Sequence, residues 1–393
     1  MKIKMSKFKA AMFILAIMLT NIPIMADAVI IPISNNLYTV FGEHVGAVNF
    51  IVSGPQLIIA ISSLLAAPIM MKVSKKMILV ISGLLCVVGL GFGVVIENVW
   101  FVLICRVIAG IATGFINVAA VALIAEVYID DNKRSYMMGL YNACMAAIGT
   151  AMSLVAGQLA VNGWTNAYKV FWSCIPMVIC FALFLPNIKP EKIEPENNEK
   201  ESSSKTSFGF EFWLMMINLV IFYIANMGVS YFVSVYVSEH NLGNEAFAGT
   251  IASLSTIGSF FCCLAFGFLY NKLKRYIIFC SYILFALAVL LLILSPSKLT
   301  LIIAIFITGG SYGTAFSYSY AHAPSLVSES MTDTAISIAT FVYAIGCFFA
   351  TYVVTFLMGN GSFSSILPYI LGFVIVAIVL EIISVLGCKV KKG

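Results

Sequence analysis

The sequence predicts an all-α integral membrane protein of twelve transmembrane helices arranged as two six-helix bundles. Hydrophobic residues make up 61% of the 393 and charged residues 10%, and mean hydropathy is +1.03, too apolar for a water-soluble globule of this size. Twelve stretches offer the ~20 predominantly apolar residues that a helix needs to cross ~30 Å of hydrocarbon. Of the 22 Lys and Arg residues, only Arg106, Lys169 and Lys298 fall outside the termini and links that this span count puts on one side of the bilayer.

The spans are expected near residues 10–32, 48–71, 77–96, 100–126, 135–160, 168–186, 212–237, 246–270, 276–295, 299–322, 334–358 and 366–387. Most are separated by short links rich in turn formers. The odd-to-even links from Ser34 to Gly46, Asn241 to Glu245 and Gly359 to Ser364 hold no Lys or Arg. Even-to-odd links hold nearly all of them: Lys72, Lys75 and Lys76; Lys133 and Arg134; Lys189, Lys192, Lys200 and Lys205; Lys272, Lys274 and Arg275. Lysines also precede the first span and follow the last, so the positive-inside rule puts both termini in the cytoplasm of a multi-pass plasma-membrane protein. The link after the tenth span breaks the rule, with Glu329 and Asp333 and no basic residue. At the N-terminus Ala26-Asp27-Ala28 imitates a signal cleavage site. Hydrophobicity continues through Val29, Ile30 and Ile31, and the stretch is read as a span.

A shift of about 200 residues lays the second half of the chain on the first, bringing Ala109-Gly110 onto Gly309-Gly310 and Arg106 onto Phe306. Six spans per copy give both halves the same orientation. The expected organisation is an N-terminal bundle over 1–186, a cytoplasmic linker over 187–210 and a C-terminal bundle over 211–393. The linker holds five glutamates, four lysines and the run Ser202-Ser203-Ser204, a composition unable to bury enough apolar area to fold alone.

All ten cysteines lie in or at the ends of expected spans, which argues against a disulfide framework. Cys262-Cys263 has no accompanying His or Cys cluster, so no metal is expected. No phosphate loop or nucleophile-base set points to an enzyme or a cofactor, and no basic-aromatic groove points to nucleic acid.

Local motifs connect this layout to a family. The link Gly267-Phe268-Leu269-Tyr270-Asn271-Lys272 with Arg275, its weaker first-half copy Ala67 to Lys72, the run Arg106-Val107-Ile108-Ala109-Gly110, the pair Glu126 and Arg134, and Gly163-Trp164 followed by Phe171 are together similar to recurrent signatures of the major facilitator superfamily. The resemblance spans the whole chain and is strongest to the drug:proton antiporter branch. The Gly of that family's gating link is Ala67 in the first copy, and its Asp is replaced by Met71 in the first copy and Asn271 in the second. What the resemblance implies is a monomeric secondary transporter working by alternating access, with spans one, four, seven and ten around a central cavity. Lys72, Glu126, Arg134, Asn271, Lys272 and Arg275 would then belong to the gate.

Charge inside hydrocarbon costs several kcal/mol unless paired or hydrated, so an ionisable residue deep in a span is a functional candidate. Asp27 lies ~25 Å from the cytoplasmic edge and Arg106 ~9 Å from the outer edge, depths that agree within about one helical turn. Both are expected to carry proton coupling. Asn21, Gln56, Thr113 and Asn117 in the first half, and Tyr223, Asn226, Tyr231, Tyr312 and Phe316 in the second, are the candidates for contact with a small organic substrate. His44 and His240 are placed in outer loops, and Glu381 close enough to the inner surface to reach water. The expected activity is proton-coupled efflux of amphipathic organic compounds. Uptake of a small metabolite such as a sugar or nucleoside stays open as an alternative. So does a non-transporting sensor or assembly partner, against which the two buried charges argue.

Overall fold

A computed structural model describes residues 7–70, 72–128, 131–187, 208–327 and 332–390. The described residues are helical throughout, apart from turns and links. Among the described residues, ten helices are long and apolar enough to cross a membrane. Spans one and three make up the expected twelve, and each is interrupted for a local reason.

Span one runs as Lys7–Leu19, Asn21–Ile24, Asp27–Ile30, Ile31–Ile33 and Ser34–Val40. Pro23 and Pro32 each remove a backbone donor and crowd the carbonyl four residues earlier, and the two halves of the span, Phe8–Ile24 and Asp27–Val40, meet at 47°. Asp27 opens the second half. Span three begins as the α-helix Lys75–Cys86, capped by the Ser74 side chain, and ends in a π-helical turn over Val87–Gly91. That wider turn stops it at Gly91, short of the expected residue 96. Where it bulges, a Cβ on Gly89 would lie 2.6 Å from the Cys105 carbonyl oxygen, so only glycine lets span three lie on span four here.

The other spans are Val45–Met70, Val99–Val127, Asp131–Ala160, and Trp164–Ser173 continuing into Cys174–Phe184. In the second half they are Phe210–Tyr231 continuing into Val233–Glu239, then Glu245–Leu273, Ile277–Leu294, Lys298–His322, Thr332–Met358 and Phe363–Val390. Side-chain caps fix several starts: Asn98 for span four, Asn244 for span eight and a capping box of Ser297 and Thr300 for span ten.

The chain forms two compact units, Met1–Asn197 and Asn198–Gly393. Most of the expected linker, residues 188–207, lies outside the described residues. The two units repeat one packing scheme. In unit 1, span one packs on five and six, span three on four and six, and span two on four. In unit 2, span seven packs on eleven and twelve, span nine on ten and twelve, and span eight on ten.

The repeat corrects the register expected for span four. The cap Ser297 falls one residue short of a 200-residue offset from Asn98, and so do the glycines that admit the neighbouring helix: Gly110 approaches Pro55 and Gly309 approaches Ser255, while Gly114 approaches Ile59 and Gly313 approaches Ser259. Arg106 therefore corresponds to Ile305, which is 2% exposed, and not to Phe306, which is 39% exposed.

Candidate coupling site in unit 1

Span two contains Pro55, whose ring nitrogen carries no hydrogen, so the carbonyl of Ile51 one turn earlier has no helical donor. Arg106 fills the vacancy: its Nε donates to the Ile51 oxygen at 3.0 Å. Held there, one terminal guanidinium nitrogen donates to Asp27 Oδ1 at 2.8 Å. The other carboxylate oxygen, Oδ2, accepts from Gln56 Nε2 at 2.6 Å. Arg106 is 1% exposed and Asp27 18%, so the carboxylate is the less enclosed of the two. Around the pair is a small cleft lined by residues of spans one, two and four, among them Pro23, Pro55, Gln56, Gly110 and Thr113.

The structure thus brings Asp27, Arg106, Gln56 and Thr113 to one cleft. Gln56 holds the carboxylate, where the sequence suggested contact with substrate. Asn117, one turn beyond Thr113, is half-buried. Asn21 does not line the cleft. It is fully buried, with its amide nitrogen on the carbonyls of Met18 and Tyr141 at 3.1 and 3.4 Å. Pro55 and the Ile51 carbonyl escaped the sequence reading, although a proline inside an apolar helix marks the carbonyl four residues before it as an acceptor in need of a donor.

In unit 2 the candidates form an aromatic wall. Tyr223 meets Tyr343 edge-on at 5.3 Å and Tyr312 at 6.4 Å. Tyr312 also hydrogen-bonds the Tyr343 hydroxyl at 3.2 Å, and Phe316 meets Tyr343 at 5.4 Å. Tyr343 of span eleven joins all three, yet the sequence did not single it out, because nothing local separates it from a packing aromatic. Asn226 is buried apart from them, donating to the Thr308 carbonyl and to Ser311 at 3.2 and 3.1 Å. Tyr231 is 2% exposed.

The gating candidates divide. Glu126 pairs with Lys75 at 3.0 Å, a partner from the start of span three. The side chains of Arg134 and Asn271 lie outside the described residues. Lys72 is exposed, and Lys272 lies over the Phe268 ring at 4.3 Å. Arg275 is bound on two sides, to Glu211 at 2.5 Å and to Glu381 at 3.0 Å. Glu381 is 2% exposed, which corrects its expected place in reach of water: spans seven, nine and ten enclose it. His240 sits in the turn after Val233–Glu239, as expected of a link residue, with its Nε2 2.8 Å from Ser364 Oγ. His44 ends a short 3-10 helix, Gly42–His44.

The sequence matches the family described as the Major Facilitator Superfamily over residues 10–351, with a second match over 215–387. The chain belongs to this superfamily. It is therefore a multi-pass membrane transporter and not an enzyme. Among proteins of curated function, none matches the sequence significantly. Solved transporter structures share the fold at low identity. The nucleoside transporter NupG has a TM-score of 0.76 at 13% identity, covering 96% of this chain and 99% of its own. A peptide transporter, POT, in complex with alafosfalin has 0.76 at 12%, covering 96% and 93%. A bacterial homologue of the human lysosomal transporter Spinster, inward-facing and occupied, has 0.71 at 14%, covering 97% of both chains. At such identities the likeness of this facilitator to them concerns the fold alone.

Proposed function

We propose that this facilitator couples proton movement to export of amphipathic organic compounds by alternating access, with Asp27 as the proton carrier and Arg106 as the group that returns it to its charged form. The observation that carries the reading is the Asp27–Arg106 pair: a guanidinium at 1% exposure against a carboxylate at 18%. A buried pair is weak evidence for stability, because desolvation offsets most of its Coulomb energy. Its worth lies in being breakable. Protonation of Asp27 cancels its attraction for Arg106, and a conformation that separates the two lets the proton leave. Gln56 can serve both states, donating from Nε2 to the carboxylate or accepting a carboxyl proton at Oε1 after an amide flip. The half-buried rings of Tyr312, Phe316 and Tyr343, packed on the buried Tyr223, offer aromatic surface beside hydroxyls, which suits an amphipathic ligand.

Transport in liposomes under an imposed pH gradient, with a panel of amphipathic fluorescent dyes, tests this. Asp27→Asn should abolish gradient-driven accumulation while equilibrium exchange continues, and Asp27→Glu should keep part of the accumulation. Undiminished gradient-driven transport in folded Asp27→Asn would eliminate the carrier role. Accumulation inside right-side-out vesicles of nucleosides or sugars, with dyes ignored, would replace export by metabolite uptake; nucleosides are the cargo named for NupG.

A further inference from the structure

Unit 2 contains a second carboxylate held in the manner of Asp27. Glu381 of span twelve accepts from Arg275 Nε on Oε1 at 3.0 Å and from the Asn218 amide on Oε2 at 3.2 Å. Asp27 accepts from Arg106 on one oxygen and from the Gln56 amide on the other. Among the described residues, each unit thus holds a carboxyl group between a guanidinium and a carboxamide. No signature of the sequence marks Asn218, and its partner Glu381 lies 163 residues away.

The charge balance of the two sites differs. Arg106 has one carboxylate and the Ile51 carbonyl, so neutralising Asp27 leaves a guanidinium at 1% exposure without a counter-charge. Arg275 has two carboxylates, Glu381 at 3% exposure and Glu211 at 31%. Among the described residues, that cluster sets two carboxylates on one guanidinium. A proton on Glu381 leaves Glu211 as the charged carboxylate on Arg275. The proton also has an acceptor: Asn218 is 1% exposed, and its Oδ1 has no hydrogen-bond partner among the described residues.

We propose that Glu381 is a second proton-binding site of this transporter. The proton enters from water and bonds to Oε2. Asn218 turns its amide to present Oδ1 to the new O–H, and Arg275 stays on Glu211. Facing Glu381 are Arg275 from the turn before span nine, Glu211 and Asn218 from span seven, Tyr282 from span nine and Tyr318 from span ten. His322 stacks on Tyr318 at 4.9 Å, and Lys274 lies over Tyr270 further out. Span eleven, which also touches span twelve, carries Tyr343, Cys347 and Tyr352. The site deepens the proton-coupled reading, adding a second proton per cycle if the cluster opens during transport. Its occupancy is measured without any transported compound.

Infrared difference spectra of the purified full-length protein in lipid nanodiscs, titrated from neutral to acid pH, report buried neutral carboxyl groups through their C=O stretch. Two such bands are expected. Asp27→Asn should remove one and Glu381→Gln the other. Glu211→Gln, which leaves the buried carboxyl in place, should require at least ~tenfold more protons to raise the second band, because Glu211 then no longer shares Arg275 with Glu381. Asn218→Leu should shift the frequency of the second band and not of the first. A spectrum that Glu381→Gln leaves unchanged overturns the proposal, as does a second band indifferent to Glu211→Gln. Absence of the Asp27 band alone defeats the coupling role of Asp27 and leaves this site standing.

Discussion

Where spans two and four of unit 1 meet, the chain places Pro55, Gln56 and Arg106; where spans eight and ten of unit 2 meet in the same register, it places Ser255, Thr256 and Ile305. The backbones that frame these residues are alike, down to a glycine pair that admits the neighbouring helix in each unit. The difference teaches how a repeated fold acquires a polar site. Proline opens a carbonyl, arginine four residues before the first packing glycine claims it, and the carboxylate from span one completes the arrangement. Without the proline and the arginine, the same contact in unit 2 closes with no charged side chain from these positions. Unit 2 keeps its buried charge elsewhere, on Arg275 and Glu381.

The sharpest way to break this comparison is to make unit 1 imitate unit 2. Arg106→Ile strands the Asp27 carboxylate and should lower folding stability by about 3–5 kcal/mol, the usual cost of removing one partner from a buried pair. Adding Asp27→Leu to that variant should restore most of the loss, since a well-packed apolar replacement is often neutral. Thermal unfolding in detergent measures both. A single variant as stable as the double one would mean that the pair does not hold unit 1 together.

A smaller effect probes the shared frame. In Gly309→Ala the new Cβ runs into the backbone carbonyl of Ser255, while Gly267 has open space around it. Gly309→Ala should cost about 1–3 kcal/mol as overpacking, and Gly267→Ala should gain about 0.5–1 kcal/mol through helix propensity. Equal melting temperatures for the two variants would show that spans eight and ten can part at little cost.

The smallest effect on stability, and the most telling for the comparison, is expected at Pro55. Pro55→Ala returns an N–H to the Ile51 carbonyl, so that the helix competes with Arg106 for it. Stability should change by less than about 1 kcal/mol, the helical bond gained offsetting the side-chain bond lost. Dye accumulation under a pH gradient should fall, because Arg106 is no longer aimed at Asp27. Unaltered accumulation would show that the proline is incidental to the pair.

Much of this architecture was legible in the sequence because membrane spans are written in runs of about 20 apolar residues. The bend in span one is foreshadowed by Pro23 and Pro32. The π-turn in span three is not, since Val87 to Gly91 would also suit a regular helix. Depth along two helices was enough to suggest that Asp27 and Arg106 meet. It could not show that Gln56 reaches Asp27, because that depends on how spans one and two turn about their axes. Glu381 was misjudged for a related reason. Its distance from the helix end was readable, but the arginine that draws it inward lies 106 residues away in the chain.

The bend of span one makes the segment that begins at Asp27 a lever. Its far tip, Val40, lies ~20 Å from the bend at 1.5 Å per residue, while the Asp27 carboxylate lies ~5 Å from it. Rotation about Met25 and Ala26 is therefore geared down roughly fourfold between tip and carboxylate. The Asp27–Arg106 contact, 2.8 Å long, has about 0.7 Å of travel before it ceases to be a hydrogen bond. A tip displacement of about 3 Å suffices to use up that travel. Through this bend, a loop-sized motion at one end of the span is converted into the making or breaking of a single bond near its centre.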